Sequence, residues 1–224
     1  MISLSPISLT EAARYLGVKG EPDNTVLELL ERAERLVRET VRPVYVYRET
    51  AVEAAENGIK LACMAETLTG RDIRKHLNGC DRAVLLAATL SAEADKLIRQ
   101  TAVRDMAFSL AVDCICSAAV EQLCNKAEEE IFSGGNVPYR TWRFSPGYGD
   151  LPLDLQGAFL TALNAQRRIG LTATENSLLI PSKSVTAIIG ISDTPVQRGA
   201  RGCAVCSMRE SCAYRQLGGC GSNH

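Results

Sequence analysis

The stretch Arg143-Phe-Ser-Pro-Gly-Tyr148 decides how this chain is read. Residues 139–144, rich in aromatic side chains, form a strand candidate that delivers the chain into it. Pro146 fixes φ at the second position of a turn. Gly147 supplies positive φ or close backbone approach at the third. That geometry turns backbone N–H and C=O groups outward, where a ligand can use them. Arg143 adds a planar guanidinium suited to bidentate binding of a carboxylate. Tyr148 adds an aromatic wall with a polar tip. Together they suit a zwitterionic amino acid that carries an adenosine. Taken by itself, the same stretch also reads as an ordinary type II turn with a solvated arginine.

Downstream, residues 154–168 read as an amphipathic helix stopped by Gly170, and residues 171–191 as two or three short strands separated by Pro181. Upstream, Met106, Leu110, Asp113, Ser117, Ala118 and Glu121 recur along a long helix that runs to near Ile131, with small residues that let neighbours pack close. Residues 83–90 form an apolar run of strand length, suited to a buried strand. Ser91 after it caps a helix. Ser8-Leu-Thr-Glu11 is a capping box for a helix that Gly17 closes. Residues 26–37 are helical by period and end before Pro43. Residues 44–47 begin a strand, and a second lies near residues 59–64. Thr69-Gly-Arg-Asp72 resembles another capping box, for a helix to Leu77, and Asn78-Gly79 is a turn. The order of elements is mixed α+β rather than a regular alternation.

The 224 residues, 46% hydrophobic and 23% charged, suit one large domain or a domain with a small appendage. A formal net charge of −1 gives no global pull toward nucleic acid or anionic membrane. Aromatic residues at 5% argue against a base-stacking surface. The start shows no basic region followed by an apolar one, and the longest apolar run, residues 108–120, is broken by Asp113. A cytoplasmic protein is expected, with no membrane partner. Its nine cysteines are then reduced thiols or metal ligands rather than disulfides.

After Asp193-Thr-Pro195 the composition shifts to Gly, Cys and Arg. A boundary near residue 195 separates a domain of residues 1–195 from a Cys-rich tail of residues 196–224. In that tail Cys203, Cys206, Cys212 and Cys220 place four thiols in eighteen residues. Arg201, Arg209 and Arg215 around them favour thiolates. Four thiolates suit tetrahedral zinc or an iron–sulfur cluster, and free redox thiols are the third option. The remaining Cys63, Cys80, Cys114, Cys116 and Cys124 read as buried small hydrophobes.

Other residues carry less. His76 near a helix end fits a capping role. Glu128, Glu129 and Glu130 read as a solvated helix face, and Tyr45 and Tyr47 as strand packing. Two histidines leave little room for His-based triads or hydrolytic zinc sites, and no dinucleotide, P-loop or nucleophile-elbow motif is present.

The Arg143 stretch resembles the Arg-x-x-Pro-Gly-Tyr motif of the activation domain of cobalamin (vitamin B12)-dependent methionine synthase. A second segment, Leu171-Thr-Ala-Thr-Glu-Asn-Ser177 followed by Pro181-Ser-Lys-Ser-Val185, is similar to that family's Leu-Thr-Glu-Ser and Pro-x-x-Ser-Val. One helix separates the segments, as in the family. The resemblance implies a twisted, mostly antiparallel sheet packed with helices. It also implies a domain that binds S-adenosylmethionine and docks on the corrinoid-binding module of a methionine synthase or related methyltransferase. An inactive cob(II)alamin there takes one electron, from a donor such as ferredoxin or flavodoxin, and S-adenosylmethionine remethylates the cobalt. By position, Arg143 would bind the methionine carboxylate, the backbone near Ser145 the adenine or amino acid, and Tyr148 would line the ligand. Gly147 would allow the turn. Ser117 stands where the family has an acidic residue, and Glu121, one turn later, is the substitute at i+4. The sequence also departs from the family before Arg143, where a Glu is missing, and after Tyr148, where Gly-Asp-Leu-Pro replaces Pro-x-Cys-Pro.

The other synthase modules are missing from the chain, so the expectation is a free-standing reactivation protein with no catalytic base of its own. A 4Fe–4S cluster in the tail would relay the electron, whereas zinc would not. Two other functions fit the same residues. One is a module that clamps a corrinoid protein without ligand. The other is an iron–sulfur donor to a corrinoid protein.

Overall fold

The computed structural model describes residues 2–134, 139–196 and 210. The chain forms two compact units, each assembled from three segments. The first takes Met1–Val46, Ala87–Ser133 and Leu163–Val185; the second takes Tyr47–Leu86, Gly134–Ala162 and Thr186–His224.

Helices dominate the first unit. Helix α1 (Leu9–Tyr15) starts at Ser8, whose hydroxyl accepts from the Glu11 N–H at 3.2 Å. Helix α2 (Asn24–Thr40) starts at Asp23, which accepts from the Val26 N–H at 2.9 Å. Both caps satisfy donors that the first helical turn leaves open. Helix α4 (Ala92–Ala102) and the 27-residue α5 (Met106–Phe132) complete the set. Helix α5 is buried on nearly all sides. Ala111, Val112, Ile115, Cys116, Ala119, Leu123 and Cys124 are fully enclosed with Leu30, Ala33 and Val37 of α2. That explains why its apolar residues form no single stripe. By length and composition alone α5 is long and apolar enough to cross a membrane; in this fold its apolar residues are the core of the first unit.

Helix α3 (Arg71–His76), in the second unit, is short. The main sheet has six strands in the order β3 (Thr67–Leu68), β2 (Gly58–Leu61), β1 (Val44–Ala55), β4 (Arg82–Thr89), β8 (Ser184–Ser192) and β5 (Tyr139–Arg140). The β1–β2, β2–β3 and β5–β8 pairings are antiparallel. Strands β4 and β8 are buried along almost their whole length, as a continuous apolar run requires. A separate hairpin pairs β6 (Thr172–Ala173) with β7 (Leu179–Ile180). The architecture is the expected α+β fold with an antiparallel sheet.

Several local expectations need correction. Residues 154–168 are not one helix. A 3-10 turn at Leu153–Leu155 leads into α6 (Gln156–Leu163), and α7 (Ala165–Ile169) follows. Asn164 breaks the run in the left-handed region at φ 51° and ψ 40°, which asparagine tolerates better than most residues. The strand expected at residues 139–144 keeps only Tyr139 and Arg140 in regular pairing, and Phe144 rejoins the sheet through an isolated bridge to Ile188. Thr69 does not cap α3, because the cap position falls on Gly70. Ser91 sits at the cap position of α4 but makes no side-chain cap; its hydroxyl donates instead to the Arg42 carbonyl. Cys63 is only partly buried, unlike Cys80, Cys114, Cys116 and Cys124. Glu130 accepts from the Tyr45 hydroxyl at 2.7 Å, so the acidic run is not purely solvated. Tyr45 packs on the first unit's core while Tyr47 is exposed.

The enclosed thiols make stability depend on alkaline pH. Burial, with help from Asp81 and Asp113 respectively, pushes Cys80 and Cys114 up to about 11 from an ordinary 9.0. Burial pushes Cys116 up to about 12. The unfolded chain therefore loses these protons at lower pH than the folded chain does. Their contribution is fully present below about pH 9 and is lost as pH rises through about 11. Urea midpoints should hold level up to about pH 8.5 and then fall. The fall should be shallower in Cys116→Ala than in the parent protein.

Candidate functional site

The turn that carries Arg143, Ser145, Gly147 and Tyr148 is built from the backbone outward. Phe144 exchanges two backbone hydrogen bonds with Ile188 of β8, at 3.0 and 2.8 Å. This anchors the entry to the turn. The Tyr148 N–H then donates to the Ser145 carbonyl at 3.0 Å, closing a turn with Pro146 second and Gly147 third. Gly147 has φ +85°, as a type II turn requires at that place. Two more bonds tighten the exit. The Gly147 N–H donates to the Leu151 carbonyl at 2.9 Å, and the Leu151 N–H to the Tyr148 carbonyl at 3.1 Å. Pro146 is buried, while Arg143, Ser145 and Tyr148 are half-buried. The four turn residues nominated from sequence therefore share one tightly bonded loop.

Aromatic packing continues from it. The Phe144 ring meets Tyr148 edge-on, with centroids 5.4 Å apart and planes at 82°, a favoured aromatic geometry. The His76 ring lies 4.8 Å from Phe144, its plane tilted by 38°. His76 Nε2 is 2.8 Å from the Thr141 hydroxyl, which also accepts from the Gly190 N–H at 2.8 Å. His76 thus does more than complement a helix end. Gly190 must lack a side chain here, because a Cβ would sit 2.6 Å from Cys80 Sγ and 2.9 Å from Leu77 Cδ2.

Asp150, just past the turn, supplies the cap that Thr69 does not. Its carboxylate accepts from the Arg71 N–H at 2.8 Å and the Asp72 N–H at 3.0 Å. The sequence reading missed Asp150. Its signal was weak: an acid beside Gly149, and a helix whose own cap position is a glycine.

The remaining nominees lie elsewhere. Glu121 belongs to α5 in the first unit, where it is half-buried. Ser117, on the same helix, is engaged by Lys183. The Lys183 ammonium lies 2.9 Å from the Ser117 hydroxyl and 2.9 Å from Asp113 Oδ1. Lys183 comes from the Pro181-Ser-Lys-Ser-Val185 segment, which three further bonds hold within the first unit. Ser182 donates its N–H and its hydroxyl to Asp95 of α4, and Ser184 donates to the Thr89 hydroxyl at 2.7 Å. Lys183 and Asp95 were also missed; nothing in their local pattern marks them. Cys203, Cys206, Cys212 and Cys220 lie outside the described residues. Among the described residues no group of three or more His, Cys, Asp or Glu side chains is placed to hold a metal ion.

No family model matches the chain, and no curated protein matches it. Among solved structures, the crystal structure of the MetH reactivation domain bound to AdoHcy is similar, with a TM-score of 0.66 at 15% identity. The likeness covers 87% of this chain and 75% of that one. The two share a fold.

Gly147 offers a direct check of the turn. A Cβ there would meet Leu153 Cδ1 at 2.9 Å, on a backbone at φ +85°. Gly147→Ala should cost about 1–2 kcal/mol of stability from the left-handed backbone alone. Gly147→Asn should cost less. Denaturant titration of the two variants measures the order.

Proposed function

We propose that this chain acts in reactivation. On this reading it binds S-adenosylmethionine at the 143–148 turn and presents its methyl group to the corrinoid of a methionine synthase or related methyltransferase. The observation that carries the reading is the turn itself. An Arg-x-x-Pro-Gly-Tyr motif forms a closed type II turn within a fold shared with a domain that binds AdoHcy.

The parts suit the ligand's chemistry. Arg143 offers a fork for the amino-acid carboxylate. The compact backbone around Ser145 and Gly147 offers polar groups at close range, and Tyr148 offers a face for the adenosyl group. A corrinoid on the partner, once reduced by one electron from an external donor, would supply the cobalt nucleophile that takes the methyl group, with S-adenosylhomocysteine as the leaving group. The nucleophile is the corrinoid's own, so this chain's contribution is positioning, and no protein base is needed. The reaction belongs in the cytoplasm, where ferredoxin- or flavodoxin-type donors supply the electron.

A second reading, a clamp on the corrinoid protein without ligand, draws support from α5. Ser117, where the family places an acid, is a neutral hydroxyl already bonded to Lys183. Calorimetry with S-adenosylhomocysteine separates the two. The first reading expects saturable binding. Arg143→Ala should weaken it by roughly 10- to 100-fold, the size of a lost charge-assisted pair, and Arg143→Lys should recover only part of it. A wild-type protein without measurable affinity at millimolar ligand would sink the first reading.

The tail thiols Cys203, Cys206, Cys212 and Cys220 would, on the same proposal, hold a 4Fe–4S cluster that relays the electron. Protein purified without oxygen should be brown, with broad visible absorption that dithionite bleaches. Replacing any two of the four by Ser should remove the colour. Stoichiometric zinc in a colourless protein would assign the tail a structural role instead.

A further inference from the structure

We infer that α3 is a strut that positions the 143–148 turn, with Asp150 and His76 as its positioning residues. Helix α3 has six residues, far fewer than a helix needs to persist in water on its own. Its cap position, Gly70, brings no side chain to the open N–H groups of the first turn. The Asp150 carboxylate fills that role with both oxygens, at 2.8 and 3.0 Å. The fit is close enough to demand glycine on both sides of the contact. A Cβ on Gly70 would lie 2.6 Å from Asp150 Oδ1, and a Cβ on Gly149 would collide with the Asp72 carboxylate. The Arg71 side chain adds little: it is 3.9 Å from Asp150 and almost fully exposed.

The last residue of the same helix is His76. Its Nε2 lies 2.8 Å from the Thr141 hydroxyl, and its ring lies 4.8 Å from Phe144, whose edge-on partner is Tyr148. The stretch from Thr141 to Asp150 is therefore fastened to one helix at both of its ends. Arg143, Ser145, Gly147 and Tyr148 all lie between the two fastenings. A loop fixed at both ends is ordered before any ligand arrives, so binding does not have to order it. The mechanical claim stands on these contacts alone; its consequence for affinity rests on the ligand-binding reading above.

Amide hydrogen exchange and calorimetry with S-adenosylhomocysteine test the two parts separately, on the full chain. Asp150→Ala should speed exchange at the Gly147 and Leu151 amides about tenfold, the size of a lost cap. Asp150→Asn, which keeps one acceptor oxygen, should fall between Asp150→Ala and the parent. His76→Ala should loosen the Tyr148 amide from the other end. The α5 amides should not change in any variant. Affinity for S-adenosylhomocysteine should drop in the same order, by about tenfold in Asp150→Ala. Parent-like exchange at Gly147 and Leu151 in both Asp150→Ala and His76→Ala would overturn the strut. So would equal loss of protection in α5 and in the turn with Asp150→Asn, which would make Asp150 a support of the whole fold. A parent protein with no affinity, but with the expected order of exchange rates, upholds the strut and removes the ligand reading instead.

Discussion

A helix as short as α3 does not hold itself in water, and the carboxylate that holds it is 79 residues away in sequence. That long-range cap is the contact on which much of the second unit turns. It fixes the start of α3, and α3 in turn fixes the place of His76. His76 meets Thr141, whose hydroxyl also receives the Gly190 N–H, so the helix end is tied to β8. Phe144 closes the circuit through its pair of bonds to Ile188 on the same strand. Each contact is ordinary in strength, about 1 kcal/mol for a neutral hydrogen bond and somewhat more for a charged one. Their effect comes from closure, because opening one exposes donors that the others cannot satisfy.

The elements were largely legible in sequence, because their signals are local. Ser8 and Asp23 sit next to the helices they cap, and the apolar run at residues 83–90 needs only burial to become β4. The Arg143 stretch was legible for the same reason: Pro146 and Gly147 specify a turn between themselves. What escaped was non-local. Asp150 caps a helix from a distant part of the chain, and Lys183 reaches α5 from a segment 66 residues on from Ser117. No periodicity encodes such pairs. The break at Asn164 escaped for a different reason. Residues 154–168 keep a helical pattern on both sides of it, and a single left-handed residue leaves almost no mark in the pattern.

Helix α5 is held at one point by a charge that comes from a later stretch of the chain. Lys183 places a fixed positive charge over Asp113 and Ser117 at 2.9 Å from each. With only 14% of its side chain exposed, this ammonium is well positioned against its acid rather than loosely solvated. The Ser117 hydroxyl accepts one hydrogen bond from it and leaves the charge balance to Asp113. The segment from Pro181 to Val185 is thereby pinned to α4 and α5 through Asp95, Asp113 and Ser117.

The way the chain is shared between its two units bears on how the protein can be made. Each unit draws on three separate stretches, and the first is complete only at Val185. During synthesis, then, neither core can close until most of the chain has left the ribosome. Contacts between distant stretches carry a high entropic cost before they return any stability. The buried apolar residues of α5 must meanwhile wait for partners from other stretches. Such a chain is exposed to aggregation while it folds. Because the segments of the two units alternate along the chain, a cut at any single point within it leaves at least one unit divided between the two pieces.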